Sequence, residues 1–264
     1  MQNVNALFRL DHRIALIAGA ASGIGQAAAV GLAQAGATVI CADIDGEGAE
    51  EAAAGIRNAG GVADAVALDI TDEAAVERVV EAIRQKHSCI DVLVSTPAVN
   101  VRKQLLDYSG EEFDKVTRLN LKGTFLIARA VARGMRDRRS GTIVMVSSIR
   151  SVTTEPGQGA YAATKAGLVQ LARTFAAELG PSSVRVNCIA PGVVETPLTQ
   201  PIKNRPDWYL AYARKNALGR WASANEMAGP IVFLASEASS YMTGAVLFVD
   251  GGWTAIDGRF QPPV

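Results

Sequence analysis

The sequence has few of the residues that would link it to metals, membranes or nucleic acids. Three of its 264 residues are cysteine and two are histidine, and no C-x-x-C or Cys/His cluster indicates a metal site. Lysine plus arginine and aspartate plus glutamate are equal at 26 each, so no charge excess favours nucleic acid or an anionic membrane. No run approaches ~18 apolar residues, and we therefore expect no membrane span.

Targeting and disulfide signals are also missing. Residues 1–11 lack the apolar core of a secretion signal. The cysteines do not form an even framework, and Cys41 and Cys188 lie in strand-like apolar runs, where cysteine acts as a small hydrophobic residue. We therefore expect a reducing, cytoplasmic location. With 49% apolar and 20% charged residues, the chain has ample material for a hydrophobic core.

Short β-branched runs alternate with alanine-rich amphipathic stretches along the whole chain. The predicted strands are 14–18, 38–42, 62–68, 92–95, 141–146, 184–190 and 245–249, and the predicted helices are 24–35, 46–59, 71–86, 110–137, 159–179 and 224–235. Capping-box patterns start two of these helices, Ser109 with Glu112 and Ser223 with Glu226. The strands are apolar rather than alternating, which is typical of strands covered on both faces. The order predicts an α/β doubly wound parallel sheet with helices on both faces.

One irregular insertion, 196–217, follows the sixth predicted strand. It contains three prolines and then Trp208, Tyr209 and Tyr212. Ligands bind at the carboxyl edge of such sheets, so we interpret the insertion as a lid over the substrate and Trp208 as a substrate contact. The alternative is a surface helix with ordinary aromatic packing.

A glycine-rich loop joins the first predicted strand to a helix. It runs Gly19-Ala20-Ala21-Ser22-Gly23-Ile24-Gly25, and its G-x-x-x-G-x-G spacing differs from the usual dinucleotide fingerprint. Glycines let the backbone approach a ligand closely, and the helix start presents free N–H groups to a pyrophosphate. The position of the loop predicts nucleotide binding.

Asp43 ends the second predicted strand. A carboxylate there can accept both hydroxyls of the adenosine ribose and would repel a 2′-phosphate. Residues 20–22 offer no cation for such a phosphate, so NAD is predicted and NADP is less favoured. The alternative makes Asp43 a simple turn residue.

Ser148, Tyr161 and Lys165 have the spacing of a proton-transfer site. Residues four apart on a helix share a face, so the Lys165 ammonium and the Tyr161 phenol project together. Moving a tyrosine pKa from ~10 to about 7 takes roughly 4 kcal/mol of phenolate stabilisation, which a fixed cation can supply. The Ser148 hydroxyl can hold a substrate oxygen, so the three residues suit an alcohol or a carbonyl.

Together these residues resemble the short-chain dehydrogenase/reductase family in its compact form, with 1–264 as a single nucleotide-binding domain. The matching elements also include Asp69-Ile70, Asn120, Pro191-Gly192 and Thr196, and Asp250-Gly251-Gly252. The resemblance implies hydride transfer between a nicotinamide and a carbon bearing the reacting oxygen. It implies a homotetramer, and we expect the tail 260–264 to dock on a neighbouring subunit.

The resemblance also implies individual roles. Tyr161 would be the acid/base, Ser148 would orient the substrate oxygen, Lys165 would bond the nicotinamide ribose and lower the tyrosine pKa, and Asn120 would anchor a relay water. Alternatively, Asn120 only caps a helix break and Ser148 only satisfies a strand end. The implied cofactor contacts are Gly19, Ser22, Gly23, Ile24, Gly25, Asp43, Asp69, Ile70, Tyr161, Lys165, Pro191, Gly192, Val194 and Thr196.

The chain departs from the family pattern at two places. Ala18 stands where a threonine is usual, and Ser95-Thr96-Pro97-Ala98 replaces Asn-Asn-Ala-Gly. A single hydroxyl thus replaces a two-sided amide, and Pro97 removes a backbone donor beside the expected ribose. Some bonds around the loop must therefore be made differently.

Polar residues predict the substrate class. Arg150 and Gln158 fall at the catalytic edge, and a guanidinium there suits a carboxylate or a cluster of hydroxyls. The predicted substrate is therefore a small-molecule secondary alcohol or ketone, on a sugar, polyol or sugar acid. Alternatively, Arg150 pairs with Glu155 as a structural bridge. The alternative functions are a 3-oxoacyl reductase, an epimerase or dehydratase of the extended branch, and a non-catalytic dinucleotide sensor.

Overall fold

The computed structural model describes residues 3–256 and forms an α/β sheet structure. The strands are β1 (Ile14–Ala18), β2 (Thr38–Asp43), β3 (Val62–Ala67), β4 (Val92–Ser95), β5 (Gly141–Val146), β6 (Val184–Pro191), β7 (Val194–Glu195), β8 (Ala222–Ser223) and β9 (Val246–Val249). The α-helices are α1 (Val4–Leu7), α2 (Gly23–Gln34), α3 (Gly46–Asn58), α4 (Glu73–His87), α5 (Gly110–Thr117), α6 (Thr124–Arg138), α7 (Gly159–Leu179), α8 (Gln200–Lys203), α9 (Pro206–Ala213) and α10 (Ala228–Ala235).

Seven strands form one parallel sheet in the order β3-β2-β1-β4-β5-β6-β9. This confirms the predicted doubly wound fold. Successive residues of a strand point to opposite faces. In β1, Leu16 packs into one buried cluster and Ile17 into another, and neither is exposed. A strand covered on both faces therefore needs apolar residues at consecutive positions, which is why the segments of the inner strands do not alternate.

The strand order places the ligand-binding edge. β1 lies between β2 and β4, so the connections on its two sides leave in opposite directions. A crevice opens beyond the carboxyl ends of strands at such a switch point. The glycine loop follows β1, and the Ser95-Thr96-Pro97-Ala98 loop begins at the end of β4. Both departures from the family pattern therefore lie beside this crevice.

The structure differs from the predicted elements at particular places. The predicted helix 110–137 is interrupted by a π-helical segment, Arg118–Gly123, and the helix predicted over 224–235 opens with a 3₁₀ turn, Ala224–Met227. Both capping boxes are present. The two-residue strands β7 and β8 pair with each other; they were not predicted, because two residues are too short for a periodic signal.

The insertion 196–217 contains α8 and α9 and packs through its own apolar cluster. Ile202, Tyr212 and Ala213 of the insertion are buried there against Trp221 and Trp253. The predicted role of the tail 260–264 falls outside the described residues.

Candidate active site

The loop between β1 and α2 leaves no room for side chains at two of its glycines. A Cβ on Gly25 would lie 1.8 Å from the carbonyl oxygen of Gly19, and a Cβ on Gly19 would lie 2.2 Å from Thr96 Oγ1. Gly19 and Gly23 also have positive φ angles of 86° and 56°. Ser22 is the N-cap of α2, and its hydroxyl makes no capping hydrogen bond with the described residues. The helix start therefore keeps donors for an anionic ligand.

Thr96 lies in the loop where the family pattern has asparagines, and it bonds to the backbone around the glycine loop. Its hydroxyl lies 3.0 Å from the carbonyl oxygen of Ala18 and 3.2 Å from that of Gly19, and it donates to them. Its backbone N–H donates to Ala18 as well, at 3.0 Å. One short side chain thus links the end of β4 to the glycine loop.

A cleft of about 380 Å³ extends from the glycine loop over the carboxyl ends of β1, β2 and β4. It is lined by these predicted cofactor contacts: Gly19, Ser22, Gly23, Ile24, Gly25, Asp43, Asp69, Ile70 and Thr196. The remaining predicted contacts lie elsewhere. Gly192 and Tyr161 line a second cavity, whereas Lys165, Pro191 and Val194 line neither. Val194 lies in the β7 ribbon, and Lys165 is buried beneath the site.

Asp43 is held at the floor of this cleft. Its Oδ2 accepts from the N–H of Ala21 and its Oδ1 from that of Asp45, both at 3.0 Å. The turn role considered from the sequence is therefore present. The carboxylate still lines the cleft, and the described residues contribute no lysine or arginine to the cleft lining.

Tyr161 and Lys165 are brought together by the first turns of α7. Lys165 Nζ lies 5.6 Å from the centre of the Tyr161 ring and donates to the Val146 carbonyl oxygen at 2.8 Å. Only 1% of Lys165 is exposed, and this burial lowers its pKa to about 8. The ammonium therefore faces the ring and bonds to the backbone of β5.

Three influences act on the Tyr161 phenol. Burial raises its pKa above the ordinary value, and this is the largest effect. The direction is opposite to the lowering expected from the Tyr161–Lys165 spacing. A hydrogen bond with the Ser148 side chain and the positive charge of Arg150 both act to lower the pKa. Ser148 itself is buried, and its Oγ accepts from the Arg150 N–H at 3.1 Å. Serine and arginine thus reach the phenol from the turn after β5.

Asn120 lies in the π-helical segment and is fully buried. Its Oδ1 accepts from the N–H of Val99 at 2.8 Å, while its Nδ2 donates to the Val99 carbonyl at 2.9 Å and to Thr164 Oγ1 at 3.2 Å. The side chain thus fixes the loop after β4 to α7. Asn120 also lies at a break between α5 and α6, which is the position that the alternative role of a helix cap requires.

A second cavity of about 210 Å³ adjoins the phenol. All three predicted substrate contacts line it, namely Arg150, Gln158 and Trp208, together with Ser148 and Tyr161. The insertion 196–217 supplies part of the wall: Leu198, Thr199, Pro201, Ile202, Trp208 and Tyr212. The cavity is therefore bounded by the turn after β5 on one side and by the insertion on the other.

Glu155 pairs with the two arginines that line this cavity. It forms salt bridges with Arg150 and with Arg102, the latter at 2.7 Å, and it accepts from the Tyr212 hydroxyl and from Gln158 Nε2. Burial acts to raise the pKa of Glu155, but the hydrogen bond from Tyr212 and the charges of the two arginines outweigh it and lower the pKa. The Arg150–Glu155 bridge considered from the sequence is present.

Aromatic rings cover the guanidiniums. The Arg102 Cζ lies 4.7 Å from the centre of the Trp208 ring, and the Arg150 Cζ lies 5.4 Å from that of Trp253. Such cation–π contacts hold arginine heads in place. Sequence reasoning missed Trp253, and the available signal was its position directly after the Asp250-Gly251-Gly252 motif.

Metal and membrane features were sought across residues 3–256. This part of the chain has no group of three His, Cys, Asp or Glu side chains arranged to hold a metal ion. Within the same residues, no helix is long and apolar enough to cross a membrane.

The chain is similar to known proteins over most of its length. The family model described as enoyl-(acyl carrier protein) reductase matches residues 19–254. The 3-oxoacyl-[acyl-carrier-protein] reductase of Thermotoga maritima is 40% identical over 249 residues, which cover 92% of this chain and 98% of that protein. The gluconate 5-dehydrogenase of Gluconobacter oxydans is 34% identical, over 94% of this chain and 97% of the relative.

A solved structure is similar over nearly its whole length. The crystal structure of a gluconate 5-dehydrogenase from Burkholderia cenocepacia, in complex with NADP and tartrate, superposes with a TM-score of 0.93. Its sequence is 34% identical, and the match covers 97% of this chain and 100% of that one.

Proposed function

The chain belongs to the short-chain dehydrogenase/reductase family, whose members act as oxidoreductases on CH–OH groups; from that premise we propose that it is an NAD-dependent enzyme that interconverts a secondary alcohol and a ketone on a sugar, polyol or sugar acid. The observation that carries the proposal is the position of the Tyr161 phenol. It lines the cavity beside the cleft of the glycine loop, next to Ser148 and above the buried ammonium of Lys165.

The catalytic roles follow from these contacts. Tyr161 takes the hydroxyl proton during oxidation and returns it during reduction, and Ser148 holds the reacting oxygen by a hydrogen bond. A bound nicotinamide would accept or supply the hydride. Lys165 supplies positive charge below the phenol, and Asn120 keeps the loop after β4 against α7.

The residues of the cleft fit a dinucleotide. Glycine is required at Gly19 and Gly25 because the loop packs closely against itself and against Thr96 there. This packing fixes the loop at the start of α2, where N–H groups favour a pyrophosphate. Asp43 in the cleft, without a lysine or arginine in the cleft lining over residues 3–256, supports NAD over NADP. The solved relative described above contains NADP, and the assay below therefore compares the two cofactors directly.

Polar groups in the second cavity support the proposed substrate class. Arg150, Gln158 and Asn100 offer charged and amide contacts beside the phenol, which suit hydroxyls and carboxylates better than plain alkyl chains. The insertion 196–217 is proposed as the lid, because Trp208 and Tyr212 line this cavity.

The experiment is a substrate panel with each cofactor. Purified protein is mixed with NAD or NADP and a set of polyols, sugars and sugar acids, and reduced cofactor is followed by absorbance. The proposal requires turnover of at least one polyhydroxylated substrate with NAD. A tenfold or larger preference for NADP(H) in kcat/KM would remove the NAD assignment. Tight NAD binding with no turnover of any substrate would favour a dinucleotide sensor.

A 3-oxoacyl reductase is the second candidate, and the 40% identity to the Thermotoga maritima enzyme favours it. This candidate predicts reduction of a 3-oxoacyl thioester with NADPH. The anionic Asp43 in the cleft and the arginine-lined cavity argue for the first candidate. Comparing a 3-oxoacyl thioester with the polyol panel decides between them.

We propose a single domain over 1–264, because seven strands, from β1 near one end of the chain to β9 near the other, share one sheet. We also propose a homotetramer: an apolar hollow with Leu121, Phe125 and Leu171 lies on the outer face of α5, α6 and α7, and the edge strand β9 exposes Phe248. Light scattering after gel filtration tests this assembly. A cytoplasmic location is proposed as well, and the three free cysteines fit a reducing compartment.

A further inference from the structure

The cavity beside Tyr161 has an unequal number of positive and negative groups. Arg102 and Arg150 both line it, and both form salt bridges with the same carboxylate, Glu155. Among the described residues, no aspartate or glutamate lines the cavity itself. Two guanidiniums thus share one carboxylate, so the group of three side chains carries a net charge of one positive unit. Because charges in a partly buried site are screened less than at the surface, this excess favours an anion.

The two guanidiniums also keep donors for a ligand. Arg150 donates to Glu155 and to Thr153, and Arg102 donates to Glu155 and to the Tyr212 hydroxyl. Their other N–H groups have no acceptor among residues 3–256. A guanidinium presents its donors as a planar fork, which matches the two oxygens of a carboxylate.

An unpaired acceptor lies in the same cavity. Asn100 lines it, and its Nδ2 donates to Gln158 Oε1 at 3.3 Å, but its Oδ1 is buried without a hydrogen-bond partner within the described residues. Buried acceptors are rarely left unpaired in folded proteins. A hydroxyl group of a ligand would satisfy this oxygen, whereas a carboxylate would not.

We propose that the substrate is a hydroxy monocarboxylate, bound through its carboxylate to the arginine pair and through one hydroxyl to Asn100 Oδ1. The inference deepens the proposed oxidoreductase function and rests on it. Glu155 sets the charge selectivity: it neutralises one guanidinium and leaves the other for a single carboxylate. Its bonds to Tyr212 also tie the position of the arginines to α9 of the insertion.

Two matched substrate series test the charge requirement. Sorbitol, gluconate and glucarate share six carbons, while threitol, threonate and tartrate share four, and within each series the compounds carry none, one and two carboxylates. Binding to the NAD-loaded protein is measured by calorimetry, and turnover is measured separately. We expect the monocarboxylate of at least one series to bind about tenfold or more tightly than its neutral counterpart, the effect of a charge-assisted hydrogen bond. Equal or weaker binding of both monocarboxylates overturns the inference.

Variants assign the effect to residues. Arg102 is replaced rather than Arg150, because Arg150 also acts on the Tyr161 phenol. The Arg102→Met variant should lose most of the binding advantage of the monocarboxylate over the neutral compound. Arg136→Met removes an exposed arginine that pairs with its neighbour Asp137 and should leave the advantage intact. Asn100→Leu should weaken the neutral and the carboxylated compounds alike. Loss of the advantage in Arg136→Met, or its retention in Arg102→Met, contradicts the proposed contacts.

Glu155→Gln provides a second, independent variant. It keeps the shape of the side chain and removes its charge, so the arginine pair carries one more positive charge. We expect glucarate or tartrate to gain at least about fivefold relative to the monocarboxylate, and an unchanged ratio overturns the role of Glu155. Turnover of neutral polyols only would refute the inference and leave the oxidoreductase function standing. Selective monocarboxylate binding without any turnover would support the inferred ligand class and refute the oxidoreductase function.

Discussion

Lys165 is a buried charge, and removing it should stabilise the fold while destroying the activity. The side chain is 1% exposed, and burial lowers its pKa from 10.5 to about 8. A shift of this size corresponds to about 3 kcal/mol of destabilisation at pH 7, where the folded protein must keep the ammonium charged. In Lys165→Met this penalty disappears, but the bond to the Val146 carbonyl is lost as well, at a cost of roughly 1–2 kcal/mol. We therefore expect the free energy of unfolding to rise by about 1–2 kcal/mol at neutral pH.

The stability difference between Lys165→Met and the wild type should also depend on pH, and this dependence tests the buried ammonium more sharply than the difference at one pH. Because the folded pKa is depressed, the penalty is complete below the folded pKa of about 8 and is relieved as the pH rises towards 10.5. Between pH 7 and 9.5 the advantage of Lys165→Met over the wild type should shrink by about 2 kcal/mol.

Urea unfolding of both proteins at two pH values, at one protein concentration, measures this difference. Lys86→Met replaces a lysine whose side chain is 63% exposed, and it should change the free energy of unfolding by no more than about 0.5 kcal/mol at either pH. Two results would refute the claim that the buried Lys165 ammonium destabilises the fold. One is an effect of Lys165→Met on the free energy of unfolding that is the same at both pH values, and the other is a loss of stability at pH 7.

Three further outcomes are expected. Thr96→Val removes the hydroxyl that links the end of β4 to the glycine loop, so unfolding by urea should show a loss of about 1–2 kcal/mol and the KM for NAD should rise; an unchanged KM contradicts the link. Asp43→Asn should lower the ratio of kcat/KM for NAD over NADP by at least about tenfold, because the charge that repels a 2′-phosphate is gone; a constant ratio argues against that role. Since burial raises the Tyr161 pKa, alcohol oxidation should rise with pH through the alkaline range as the phenolate forms, and a flat kcat profile contradicts this.

The sheet could be predicted from the sequence because its determinants are local. Strand β1 and strand β4 end where their apolar runs end, and the capping boxes at Ser109 and Ser223 fix two helix starts. The position of the glycine loop between a strand and a helix also needs only neighbouring residues. These features depend on period and capping, which are visible in one sequence.

Other features depend on contacts between distant residues. The apolar pattern of 110–137 continues through Arg118–Gly123, so nothing local indicates the π-helical segment, where Asn120 bonds to Val99 and Thr164. The sequence indicated a pairing of Arg150 with Glu155, five positions apart. It gave no sign that Arg102 and Tyr212 meet the same carboxylate from 53 and 57 positions away. Such a network is set by tertiary packing.

The proposed function depends most on Tyr161 as the group that gives and takes the proton, and Tyr161→Phe tests this role directly. The phenylalanine keeps the ring and removes only the hydroxyl. We predict that the variant binds NAD as the wild type does and loses at least about two orders of magnitude in kcat on the best substrate of the panel. Near-normal turnover with intact NAD binding would contradict the proposed function.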